Sequence, residues 1–143
     1  MRLGTLRQVI ALAFLEQQIK VSQLTEPIVI IGDGFGLMAS LILSHFSHSK
    51  AKVVLINLTP NLLVDAVFIK KTFPNVNIAL AKSEVEFSEA LDSNDIRTVL
   101  IQADNAKLIS HGKIGLVINI ASMQEMNPSI IEEYFNFMRS SKN

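Results

Sequence analysis

The chain has 143 residues, of which 49% are apolar and 18% charged, with 13 Lys and Arg against 13 Asp and Glu, and no Cys. That length holds one compact domain and is too short for two ordinary ones, while the missing thiol excludes cysteine catalysis, cysteine zinc sites and a disulfide scaffold, in keeping with a reducing, cytoplasmic location. Balanced charge supplies no global field, so neither nucleic acid nor an anionic membrane is an expected partner.

The mean hydropathy of +0.36 is high. The most membrane-like stretch, Ile28 to Leu43, is interrupted by Asp33 and three glycines and is too short to span a bilayer. At the N-terminus Arg2 and Arg7 precede the apolar run Val9 to Leu15, and Ala11-x-Ala13 is a faint imitation of a signal-peptidase site. Leu6, Val9, Ile10, Ala13 and Phe14 nevertheless recur at i, i+3, i+4, i+7 and i+8. This predicts an amphipathic helix over about residues 4–18, packed on the rest of the protein through that stripe, rather than a secretory signal.

No internal repeat, low-complexity segment or linker divides the chain, so residues 1–143 read as a single domain. Ile28-Val29-Ile30-Ile31 is a continuous apolar run ending in glycine, as expected of a strand buried on both faces. Val53-Val54-Leu55-Ile56, Thr98-Val99-Leu100-Ile101 and Leu116-Val117-Ile118-Asn119-Ile120 repeat the pattern, and Val76 to Ala81 is a weaker example. Helices are expected between them. One covers Leu37 to Phe46, and a second covers Pro60 to Lys71 with Thr59 as N-cap. A shorter one opens with the capping-box spacing Ser83-x-x-Glu86 and ends at the turn Asp92-Ser93-Asn94-Asp95. The last begins at Asn127-Pro128 and runs to about Arg139. Buried strands alternating with helices predict an α/β fold: a three-layer, Rossmann-like parallel sheet of four or five strands with helices on both faces.

In such a sheet, ligands bind beyond the carboxyl ends of the strands. Gly32-Asp33-Gly34-Phe35-Gly36 falls there, where glycine permits positive φ and close backbone approach, and the helix beginning near Leu37 offers N–H donors. A tight strand-to-helix turn explains the glycines equally well without a ligand. A dinucleotide fingerprint would need glycine at position 37, where Leu37 stands, and no Gly-Lys-Ser/Thr follows as in a P-loop. His45 and His48 share a helix face but have no further ligand, so no metal is expected, and His111 reads as a loop residue. Ser44, Ser47 and Ser49 lack a nucleophile elbow. Tyr134, Phe135, Phe137 and Met138 read as core or interface.

Three blocks point to a family: Ile30-Ile31-Gly32-Asp33-Gly34-Phe35-Gly36, Val54-Leu55-Ile56-Asn57-Leu58-Thr59-Pro60, and Ile118-Asn119-Ile120-Ala121-Ser122-Met123-Gln124-Glu125-Met126-Asn127-Pro128. Together they resemble the sugar O-methyltransferase family, within the class I S-adenosylmethionine-dependent methyltransferases, over roughly residues 5–139. The last block is the distinctive one. The resemblance implies that Gly32, Asp33, Gly34 and Gly36 form the cofactor turn and that Asn57 stands where the family carries an acidic ribose ligand. A neutral amide there gives up a charge-assisted contact, a loss of about 1–2 kcal/mol. It further implies that Asp104 and Asn105 lie beside the adenine and Asn119 near the sulfonium. Glu125 is the candidate general base for an acceptor hydroxyl, although as a weak base it would need burial; it can equally shape the entry to the last helix. The family's fifth to seventh strands have no counterpart after the helix that follows Ile120, so a homodimer through the open sheet edge or the last helix is an expectation.

Two functions of different class follow. One is an S-adenosylmethionine-dependent methyltransferase acting on a sugar or other small hydroxylated acceptor. The other is a nucleoside-binding or assembly module of the same fold without turnover. Binding of NAD alone would end the first.

Overall fold

The structure, a computed structural model, describes residues 3–141. Helix α1 (Leu3–Ile19) precedes strand β1 (Ile28–Ile31), and α2 (Leu37–His45) leads to β2 (Val53–Asn57). Then come α3 (Thr59–Thr72), β3 (Asn77–Leu80), α4 (Glu84–Asp92) and β4 (Ile96–Gln102). A 3₁₀ segment, Ala103–His111, connects to β5 (Leu116–Asn119), and a second, Ser122–Glu125, connects to α5 (Pro128–Ser140).

All five strands are parallel, in the order β3-β4-β2-β1-β5. The period-two alternation of a strand divides their side chains between two cores. Ile28, Ile30, Val53, Leu55 and Ile118 face Leu12, Met38, Ile42, Leu62 and Ile69 of α1, α2 and α3. Val29, Ile31, Val54, Ile56 and Ile101 face Phe87, Ala106, Ile109 and Tyr134 of α4, the first 3₁₀ segment and α5. The central strands β1 and β2 are buried at every position, which is why they read as unbroken apolar runs. The expected α/β architecture, with helices on both faces, is present.

Chain direction explains the two layers. From β1 the connections advance across the sheet through α2 and α3; from β3 they return through α4 and the 3₁₀ segment. Right-handed crossovers place these two sets on opposite faces. The chain therefore leaves β1 and β2 over one face and β4 and β5 over the other, so the layers diverge at the carboxyl ends of β1/β5 and of β2/β4. The weak third strand of the sequence is β3, a half-exposed edge with a register shift at Asn77/Ile78. Strand β5 forms the other edge. Among the described residues no helix is long and apolar enough to cross a membrane.

Three local expectations are corrected. First, α1 is inverted: Ile10 is 59% and Phe14 61% exposed, with Leu6 and Val9 outward as well, whereas Leu12 is buried. Two polar residues are turned toward the protein because they are used there. Gln8 donates to the Asp33 carbonyl (3.4 Å), and the Glu16 carboxylate accepts from the Ser22 amide (2.8 Å) and hydroxyl (2.5 Å). Second, Leu58 rather than Thr59 is the N-cap of α3, because the Thr59 hydroxyl accepts instead from Gln102 Nε2 (3.0 Å). Third, Ser83 caps α4 through the Glu86 amide as expected, but the Glu86 carboxylate reaches back to the Lys82 amide (2.7 Å) instead of that of Ser83.

The orientation of α1 has a direct test. Leu12→Ala is expected to cost about 2–4 kcal/mol in urea unfolding, whereas Ile10→Ser and Phe14→Ser each change stability by about 0.5 kcal/mol or less. The reverse ranking would restore the stripe read from the sequence.

Candidate functional site

The turn that joins β1 to α2 is a run of left-handed backbone: Gly32 (φ +67°), Gly34 (+57°), Phe35 (+62°) and Gly36 (+66°). Glycine is the residue that adopts this region without cost; Phe35 carries a side chain there, with a ring 71% exposed. The three glycines have three environments. A Cβ on Gly32 would overlap the Ser122 side chain, and one on Gly36 would come within 3.1 Å of the Asp65 carbonyl oxygen, whereas a Cβ on Gly34 would meet nothing within 4 Å. Two of these glycines thus serve packing. Only Gly34 presents bare backbone to open space.

Asp33 is folded back under the turn. Its two carboxylate oxygens accept from the Met38 amide (2.8 Å) and the Ala39 amide (2.9 Å), so the first turn of α2 is closed by an internal anion. Burial raises its pKa from 3.8 to about 6, against the pull of those two amides and with a further push from Asp65.

Asp65, on α3, is fully buried and was not singled out from the sequence. Its signal was available, because Leu62, Asp65 and Ile69 share the inward stripe of α3, where a carboxylate is out of place. Its Oδ2 accepts from Asn57 Nδ2 (2.9 Å) while Oδ1 has no partner among the described residues. Burial raises its pKa too, opposed by Asn57 and the Gly36 amide. Asn57 is therefore held on both sides, since its Oδ1 accepts from the Leu58 amide (2.9 Å) and, at 3.5 Å, from Asn61. What the Asn57 carbonyl retains for a ligand is the lone pair that this long Asn61 contact uses.

Asn119 is engaged as well. Its Nδ2 donates to the Ile31 carbonyl (2.9 Å) and contacts the Ser122 hydroxyl, which also donates to that carbonyl (3.1 Å); its Oδ1 accepts from the Met123 amide (3.3 Å). The Asn-Ile-Ala-Ser block, with Ala121 at φ +73°, thus fastens the end of β5 to the end of β1. Its small residues follow from the close approach of Ser122 to Gly32.

Gly32, Asp33, Gly34, Gly36, Asn57 and Asn119 therefore gather at the carboxyl ends of β1, β2 and β5. Asp104 and Asn105 begin the 3₁₀ segment after β4, whose end lies beside that of β2 through the Asn57–Gln102 register and the Gln102–Thr59 hydrogen bond. Asp104 is exposed and close enough to Tyr134 to raise its pKa, second to the effect of burial, so it lies toward the α5 side. Glu125 is exposed at the end of the second 3₁₀ segment. His111, read as a loop residue, ends the first 3₁₀ segment and pairs with Glu84 at 3.1 Å. Tyr134 is core, edge-on to Phe137 at 6.4 Å, and Phe135 is outward.

The enclosed space that borders Gly32 and Asp33 on the α1 side is about 10 Å³, room for at most one water molecule. A ligand of nucleoside size would have to lie over Gly34 and not beneath the turn. Comparison with family models, with curated proteins and with solved structures finds no match for this chain.

Two outcomes test this geometry. Gly32→Ala should destabilise by about 2–4 kcal/mol, and Ser122→Gly in the same chain should recover at least about 1 kcal/mol, with backbone strain at position 32 remaining. The second concerns pH. The native state holds the Asp33 proton up to about pH 6 and the unfolded chain releases it near 3.8, so this group's contribution falls as pH rises between those values. The decline is of order 3 kcal/mol. In urea titrations Asp33→Asn should lack this fall, and Asp65, shifted in the same direction, should not reverse its sign.

Proposed function

We propose that the chain binds the adenosyl group of S-adenosylmethionine over the Gly32–Gly36 turn and acts as a methyltransferase, with a hydroxyl of a sugar or other small molecule as acceptor, in the cytoplasm. The observation that carries this reading is the carboxylate of Asp33 on the first amides of α2. A dinucleotide places its pyrophosphate on those amides. Here an internal anion already fills them, so the turn rejects a phosphate and accepts a neutral or cationic ligand. An adenosyl sulfonium is such a ligand.

Three further features support it. Gly34 leaves the backbone uncovered. Asn57 keeps acceptor capacity toward a ribose hydroxyl at the edge of the Asp65 network. Asp104 and Asn105 lie past the neighbouring strand end, as an adenine subsite would require. The cofactor, when bound, supplies an electrophilic methyl group. The chain's own work is to position the acceptor and to take a proton from its hydroxyl; Glu125, the candidate base, is exposed, so the burial this task needs has to come from the bound acceptor itself. A homodimer through the β5 edge would cover the backbone groups that β5 presents, and one through α5 would cover its exposed Ile130 and Phe135.

A reading without turnover is favoured by one observation: the Asn57 side chain is tied to Asp65 and Leu58, and an amide there holds ribose less strongly than a carboxylate. Calorimetry separates the two. Binding of S-adenosylmethionine and S-adenosylhomocysteine without methyl transfer to sugar acceptors would leave the binding module; binding of NAD alone would end the methyltransferase reading. Gly34→Val should abolish adenosyl binding, while circular dichroism retains the helices despite about 1–3 kcal/mol of backbone strain. Unchanged affinity would make the turn purely structural.

A further inference from the structure

A cavity lies at the opposite end of the sheet, where the strands begin. It measures about 790 Å³, within the range of small-molecule sites. Its wall contains Lys52, the residue before β2, and Arg97, the second residue of β4; both are half-buried. Lys52 and Arg97 stand one step before the Val53–Thr98 pair of the parallel β2/β4 ladder, so the two cations are neighbours across adjacent strands, and burial lowers the pKa of each. Yet among the described residues neither has a carboxylate oxygen within 4.0 Å.

Backbone carbonyls use part of their hydrogen-bonding capacity. Lys52 donates to the Ser93 carbonyl and to that of Ile96 (2.6 Å); Arg97 donates to the Ala51 carbonyl and to that of Phe46 (3.2 Å). Phe46 and Ser93 are the C-cap residues of α2 and α4, so the cations also complement two helix ends. An ammonium has three donors and a guanidinium five. Donors therefore remain on both groups, in the wall of a cavity, with two positive charges and no carboxylate oxygen within 4.0 Å among the described residues.

Lys50 and Lys113 add exposed cations at the rim. The rim also carries three carboxylates with acceptor capacity to spare: Glu84, 3.1 Å from His111, Glu26, which accepts from the Thr25 hydroxyl (3.0 Å), and Asp92, whose charge partly offsets the effect of burial on Lys52. Two adjacent cations match a doubly charged oxyanion better than a single carboxylate, and a planar guanidinium with an ammonium is a recurrent phosphate pair.

We propose that this basal cavity is a second ligand site, taking a small hydroxylated molecule through its phosphoryl group, with the phosphoryl oxygens on Lys52 and Arg97 and the hydroxyls on the rim carboxylates. It is independent of the adenosyl site at the other end of the strands.

The test is amide NMR on the intact chain, titrated with inorganic phosphate and with glycerol 3-phosphate at fixed ionic strength. The expected result is saturable shifts at Lys50–Lys52, Asn94–Arg97 and Gly112–Lys113, with the ester about tenfold tighter than inorganic phosphate. Arg97→Lys should weaken the ester about tenfold and Lys113→Met by about threefold, leaving S-adenosylmethionine affinity unchanged. If Arg97→Lys fails to fold, Lys113→Met and Lys50→Met decide the matter, since neither side chain supports the fold. Shifts that do not saturate, that ignore these substitutions, or that appear at Asp33–Ala39 instead would overturn the site; equal affinity for the two probes would overturn its hydroxylated ligand.

Discussion

A carboxylate turned inward onto the start of its own helix governs the upper half of this protein. Asp33 can reach the Met38 and Ala39 amides only if the chain reverses sharply between them, and that reversal is made by the left-handed residues Gly34, Phe35 and Gly36. Once made, the arrangement satisfies donors that the first turn of any helix leaves orphaned. It also spends the positive end of α2 within the molecule. The ordinary chemistry of a glycine-rich turn, capture of a phosphate, is thereby withdrawn, and what remains is a backbone surface fit for an uncharged or cationic group.

The same region is tightly laced. Asn119 and Ser122 close β5 onto the Ile31 carbonyl, Gln102 ties the end of β4 to Thr59, and Asp65 holds Asn57. Two buried carboxylates, Asp33 and Asp65, stand near each other, each made harder to ionise by its surroundings. Such a network holds the strand ends at defined positions at some expense in stability near neutral pH, an arrangement common where geometry matters more than stability. The basal end follows another logic, in which half-buried cations are held by the carbonyl ends of α2 and α4.

The two helix layers also differ outwardly. On the α1–α3 side, Leu6, Val9, Ile10, Phe14, Leu63, Val67 and Phe68 are exposed; the other side exposes Val85, Ile130 and Phe135 and adds the acidic Glu84, Glu86, Glu89 and Asp92 of α4. Balanced total charge conceals this separation, because composition sums over faces that only folding distinguishes. The inversion of α1 belongs here: both of its faces are rich in apolar residues, and periodicity finds a stripe without saying which one is inside.

From the amino-acid string alone, the parallel α/β architecture, the positions of the strands and the bounds of α2, α3 and α5 were legible, since burial on two faces leaves β-branched runs and caps leave Ser, Asn and Pro at helix starts. The glycine turn was legible as a turn. Which of its glycines packs and which lies open was not, because that depends on Ser122 and Asp65, far along the chain, meeting Gly32 and Gly36 across the sheet. Nor could spacing show Asn57 and Asn119 engaged by neighbours, or Lys52 beside Arg97 at the base, since a local pattern records what a residue is able to bond and only the folded chain decides which partner arrives.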